Sequence, residues 1–196
     1  MIGVIDYKAG NLTSVMKALD AVGADAAATS DPAVVRRADK LVLPGVGHFS
    51  STVFLEESGL KRAIEDRVAA GVPFLGICVG LQWLFEGSTE APDVAGFKAF
   101  AGYCERFPEN IKVPHVGWNS IEVSPSRLLK GISSGDFVYF THSYRAPIVT
   151  GTVAVTEYDS PFTAAVERDN VMGVQFHPEK SGPVGLRILE NFMRLS

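Results

Sequence analysis

The chain has 196 residues, of which 46% are hydrophobic and 20% charged, an ordinary balance for a globular protein rather than a disordered one. A chain of this length fits one domain, 1–196, and buries roughly 70% of its unfolded surface without disulfide or metal staples. Its net charge of −4 gives no electrostatic reason to expect nucleic acid or an anionic membrane as partner.

The chain enters on an apolar run with no basic segment ahead of it, and nowhere do about 18 apolar residues follow one another. Its two cysteines, Cys78 and Cys104, cannot make a disulfide framework, and no Cys/His spacing suggests a metal site. A soluble, cytosolic, reduced protein without metal or cofactor is expected.

The first 80 or so residues alternate short apolar runs with helical periodicity, as a parallel α/β sheet requires. A strand is predicted over Ile2–Asp6. The next segment places Leu12, Val15, Met16, Leu19 and Val22 on one helical face and stops near Gly23. A strand over Lys40–Leu43 ends at Pro44-Gly45. A helix carrying Leu60, Ala63, Ile64 and Val68 follows and ends before Gly71, and Pro73–Ile77 is a buried strand leading into Cys78. The second half changes to short strand-like runs around Tyr103–Phe107, Asn119–Val123, Phe137–Phe140, Thr152–Thr156, Phe162–Arg168 and Val171–Phe176. Pro183, Leu186, Leu189 and Met193 mark a closing helix. The predicted fold is an open, mainly parallel central sheet flanked by helices, with an antiparallel or mixed extension.

Three segments carry chemistry. Gly76-Ile77-Cys78-Val79-Gly80-Leu81-Gln82 follows a strand and opens a helix, which is the arrangement of a nucleophile elbow with cysteine at its tip. Small residues two before and two after the cysteine permit a sharp turn that lifts the thiol clear of the sheet and favours its reactive thiolate. Alone, the segment also fits a buried core cysteine packed between glycines. Gln175-Phe176-His177-Pro178-Glu179 supplies a base and a carboxylate to orient it. If the backbone stays extended through Pro178, His177 and Glu179 point the same way. Pro44-Gly45-Val46-Gly47-His48-Phe49 is a loop able to present bare N–H groups, so Gly47 and the amide of Val79 are candidate oxyanion donors. His48 is a rival base without a neighbouring carboxylate.

Taken in order along the whole chain, these segments resemble the class I, triad-type glutamine amidotransferases. The resemblance implies that Cys78 is the nucleophile, His177 the general acid/base and Glu179 its orienter, with Gln82 and the backbone around Ser143 and Tyr144 holding glutamine. Glu90 matches an acidic position of the family and would meet the substrate's ammonium. Within the family, Pro44–Phe49, Pro114-His115-Val116-Gly117-Trp118-Asn119, His142-Ser143-Tyr144 and His177-Pro178-Glu179-Lys180-Ser181-Gly182 are similar to the branch forming the glutaminase subunit of imidazole glycerol phosphate synthase, in histidine biosynthesis. Asp6-Tyr7 and Gly10-Asn11-Leu12 fit the same branch, although Lys8 stands where a glycine is usual. That likeness implies a (β/α)8-barrel cyclase subunit as heterodimer partner, facing Asn11, Trp118, Asn119 and Lys180. A glutaminase serving another synthase, or a catalytically silent regulatory subunit, are the alternative readings.

Overall fold

A computed structural model describes residues 1–195. Its first half runs β1 (Ile2–Ile5), α1 (Leu12–Ala21), β2 (Ala26–Thr29), α2 (Pro32–Val35), β3 (Lys40–Leu43), α3 (Val53–Glu57), α4 (Leu60–Ala69), β4 (Phe74–Ile77) and α5 (Val79–Trp83). The second half contains β5 (Gly87–Ser88), β6 (Tyr103–Arg106), β7 (His115–Ser120), β8 (Glu122–Val123), β9 (Phe137–His142), β10 (Tyr144–Arg145), β11 (Thr152–Tyr158), β12 (Ser160–Arg168), β13 (Val171–Val174) and α6 (Gly182–Met193).

The main sheet has the order β2-β1-β3-β4-β13-β12-β11-β8. The pairs from β2 to β13 are parallel and those from β13 to β8 antiparallel, as the mainly parallel sheet with an antiparallel extension predicts. The parallel strands β1, β4 and β13 are buried at every residue, the expected state of a sheet covered on both faces. Apolar residues at helical spacing fix how α1 docks: Val15, Ala18 and Leu19 face the sheet.

The pairing of β4 with β13 brings the two halves of the chain together. Val174 lies beside Ile77 in their register, and the Cys78 N–H donates to the Val174 carbonyl at 2.8 Å. The segments that leave these strands therefore emerge side by side at one sheet edge, the usual place for a ligand in such folds. Separate from the main sheet, β7 and β9 pair antiparallel over an aromatic cluster. There His115 stacks on Tyr158 at 4.1 Å and on Phe140 at 4.8 Å.

Two expected boundaries are corrected. The run Asn119–Val123 is not one strand: β7 ends at Ser120, Ile121 is fully buried, and β8 joins the main sheet. The Ile121 N–H donates to the Asp136 carbonyl at 3.0 Å, which turns the chain between the two sheets. The last strand stops at Val174 rather than Phe176.

Helix α5 sits tight against β3 and β4 because residues 76 and 80 are glycines. A Cβ at Gly80 would lie 2.1 Å from the Leu43 carbonyl oxygen, and one at Gly76 would lie 2.4 Å from the Gly80 oxygen. Both obstacles are backbone, which cannot rotate away. Gly80→Ala should therefore lower unfolding free energy by about 1–3 kcal/mol, read as a reduced urea midpoint. An unchanged midpoint would mean that β3 and α5 separate at no cost.

Candidate active site

Cys78 occupies the turn between β4 and α5 with φ 55° and ψ −106°, a region costly to any residue with a Cβ. The turn is held by the bond to Val174 and by the Gln82 N–H, which donates to the Cys78 carbonyl at 3.1 Å. Gly45 closes the other side, since a Cβ there would fall 2.7 Å from both the Tyr7 hydroxyl and the Val79 side chain. Cys78 is only 4% exposed, yet it lines an open cleft of about 270 Å³.

The imidazole faces this sulfur from just beyond the end of β13. The His177 N–H donates to the Tyr139 carbonyl at 2.9 Å, and the Ser181 hydroxyl donates to the His177 carbonyl at 2.7 Å, so the backbone is anchored on both sides. His177 Nδ1 and Glu179 Oε1 are 2.8 Å apart with both side chains 1% exposed. The route differs from expectation. Pro178–Lys180 is a 3-10 turn, so Glu179 swings round under the ring through the turn instead of sharing a strand face with it. His177 Nε2 is buried and makes no hydrogen bond with the described residues.

Burial alone would push the His177 pKa down, but the Cys78 sulfur and the Glu179 carboxylate outweigh it and hold the imidazole well above its ordinary 6.5, at about 10. The ring is thus coupled to both neighbours. The other two buried histidines go the opposite way: desolvation lowers His115 to about 4 and His142 to about 3.

The cleft gathers the remaining candidates. Gly47, Val79, Gln82, Glu90, Ser143 and Tyr144 all line it beside Cys78. Gly47 has φ +97°, a conformation that glycine adopts without strain. Val79 opens α5, and its N–H, like those of any first turn, has no intrahelical acceptor. Glu90 Oε2 accepts the Phe49 N–H at 2.7 Å, so this carboxylate also tethers the glycine loop. The Gln82 amide donates to the Tyr144 carbonyl at 2.9 Å. His48 does not compete as a base: it is exposed, with Nδ1 turned to the Ser50 hydroxyl at 2.9 Å. Cys104 is fully buried, and desolvation pushes its thiol far above the ordinary range.

The four residues expected at a partner surface lie outside the cleft. Asn11 caps α1 by accepting the Ser14 N–H at 3.4 Å. Trp118 is 56% exposed and meets Tyr139 edge-on, while Lys180 Nζ sits 5.6 Å over the Tyr139 ring. Asn119 donates to the Glu157 carbonyl at 2.9 Å. Lys8, with φ 64°, occupies a position that suits glycine, and its ammonium covers the Phe54 ring at 4.5 Å. Tyr7, Gln175, His115 and His142 stand in the sequence motifs without a role of their own. A glutamine inside the apolar run before His177 was the one available signal. Among the described residues, no cluster of His, Cys, Asp and Glu is placed to hold a metal and no helix is long and apolar enough to cross a membrane.

Residues 4–195 match the family Glutamine amidotransferase class-I. The chain is 48% identical over 199 residues to the imidazole glycerol phosphate synthase subunit HisH of Caldanaerobacter subterraneus subsp. tengcongensis, covering 98% of this chain and 97% of that one. It is 49% identical over 202 residues to the same subunit of Thermococcus kodakarensis, with 100% of each chain covered. A crystal structure of a glutamine amidotransferase superposes with a TM-score of 0.78 at 20% identity over 98% of both chains, a likeness of fold.

The histidine shifts give stability a maximum near neutral pH. His177, raised above 6.5, contributes fully below that pH and loses its contribution as pH climbs toward about 10. His115 and His142, lowered, contribute above 6.5 and lose it as pH falls. Urea midpoints followed from about pH 4 to about pH 10 should fall on both sides of neutrality, and Glu179→Gln should flatten the alkaline limb. An alkaline limb unaltered in that variant would uncouple Glu179 from the imidazole.

Proposed function

Because this chain belongs to the class I glutamine amidotransferases, and within them to the HisH subunits of imidazole glycerol phosphate synthase, we propose that Cys78, His177 and Glu179 carry out its glutaminase reaction. The single observation behind this assignment is their convergence: a sulfur on the cleft wall, an imidazole coupled to it, and a carboxylate 2.8 Å behind the ring.

The Cys78 thiolate attacks the side-chain carbonyl of glutamine. The N–H groups of Gly47 and Val79 receive the charge that develops on that oxygen, where one lost donor typically costs about 10²–10³ in rate. His177, protonated and held in place by Glu179, gives its Nε2 proton to the departing ammonia. It then takes a proton from water, which hydrolyses the thioester to glutamate. Gln82, Ser143 and Tyr144 surround the bound amino acid, and Glu90 faces its ammonium while fixing the glycine loop.

The ammonia passes to a second subunit, the (β/α)8-barrel cyclase, to which this chain docks as a heterodimer in the cytoplasm. Support comes from the outer face of β7 and β9, where Val116, Trp118 and Phe137 are each more than half exposed beside Tyr139 and Lys180. Large apolar side chains grouped at the surface mark an interface more often than chance. Asn11 and Asn119 complete the predicted contact set.

Three measurements test the reading. Glutamine turnover by the chain alone should be low and should rise strongly when the barrel cyclase and its nucleotide ligand are added; equal rates with and without them would refute the coupling. Cys78→Ala should abolish turnover without unfolding the chain, whereas Cys104→Ser should retain it. Trp118→Ala should weaken association by about 2 kcal/mol, roughly 30-fold in Kd, in a binding titration.

A further inference from the structure

Besides the imidazole, the Cys78 sulfur has two polar neighbours, the Thr141 carbonyl, which accepts from the thiol at 3.9 Å, and a side-chain amide. Gln175, the first residue after β13, is fully buried, and its Nε2 lies 3.6 Å from the sulfur. An amide can present either its oxygen or its N–H, with opposite consequences for a thiolate. Here the surroundings decide. The Tyr144 carbonyl can only accept, so the Gln82 atom 2.9 Å from it must be nitrogen. That nitrogen has a second hydrogen and lies 3.2 Å from Gln175, so Gln175 must offer its oxygen there. Its own nitrogen is left pointing at the sulfur.

The Tyr144 carbonyl is held from the other side as well. His142 Nδ1 lies 2.8 Å from it and must donate, which makes His142 Nε2 the acceptor of His115 Nδ1 at 3.1 Å. Both lone pairs of one backbone oxygen are therefore occupied, by Gln82 and by His142.

We propose that Gln175 is a hydrogen-bond donor to the Cys78 thiolate, and that Gln82 is the positioning residue that locks the direction of its amide against the Tyr144 carbonyl. This rests on the reading of Cys78 as nucleophile. A donor aimed at the charged form favours it, so the amide pair stabilises the thiolate in addition to His177. The titratable groups around the sulfur are Tyr7, whose buried hydroxyl has no partner among the described residues, His177 with Glu179 behind it, and His142 and Glu90 on the wall of the same cleft. Because Gln82 and Tyr144 also line the cleft, a bound glutamine touches the same chain of bonds that sets the proton affinity of the sulfur.

The test is the pH dependence of Cys78 alkylation by iodoacetamide on the full chain, located by peptide mass. Gln175→Met, similar in size but without a donor, should raise the alkylation midpoint by about one pH unit or more. Gln82→Met should raise it too, although residue 82 does not bond the sulfur. The double variant should shift no further than Gln175→Met alone, because both changes act through one bond. A merely structural role would change unfolding but not this midpoint. A midpoint that moves by less than about 0.3 unit in folded Gln175→Met, or additive shifts in the double variant, overturns the proposal. Should Gln175→Met fail to fold, an unmoved midpoint in Gln82→Met overturns it equally. Failure of the glutaminase assignment would show elsewhere, as turnover surviving in Cys78→Ala.

Discussion

The site depends on a close approach of backbones. Without side chains at Gly76 and Gly80, β4 and α5 meet against the Leu43 carbonyl at a distance that no Cβ could share. Cys78 must then turn through a backbone region that most residues avoid, at a cost of about 1–3 kcal/mol. Bonds to Val174 and from Gln82 hold it there. What results is a thiol lifted to the cleft and directed at the second half of the chain.

That second half supplies the imidazole, the carboxylate and the facing wall of the cleft. β13 delivers Gln175 and His177, and β9 anchors His177 through the Tyr139 carbonyl. The segment at the start of β10 provides the cleft wall and the carbonyl on which the buried amides and imidazoles converge. Buried polar groups are costly unless paired, and this network pairs its members with little slack. Its exceptions, the Tyr7 hydroxyl, His177 Nε2 and Glu179 Oε2, belong to residues around the Cys78 turn and the His177 ring.

Much of this was legible in the chain itself. Lys40–Leu43 and the strand into Cys78 are short apolar runs with clear stops, and the structure keeps them nearly unchanged. The fold class was carried by the alternation of apolar runs with helical periodicity, and the family by the resemblance of the loop, elbow and His-Pro-Glu motifs taken in order. Other parts had no pattern to read. Ala26–Thr29 lacks the bulky residues that announce a strand, and it pairs only because β1 offers an open edge. His115–Ser120 mixes polar and aromatic residues because one of its faces is a buried aromatic cluster and the other is exposed. The pairing of His177 with Glu179 was anticipated but by the wrong route, since proline here starts a 3-10 turn. Hydrogen-bond direction at Gln82 and Gln175 is set by a carbonyl far away in sequence, so no local signal could have carried it.

The adjacency of β4 and β13 has a consequence for how the molecule comes into being. On the ribosome, residue 78 emerges long before residue 177, so the nascent thiol spends most of translation without its imidazole. Contacts so distant along the chain form late and slowly. The meeting of Cys78 with His177 is thereby deferred until the final stretch has been made and paired beside β4. A truncated product released early would carry the cysteine but not the means to use it.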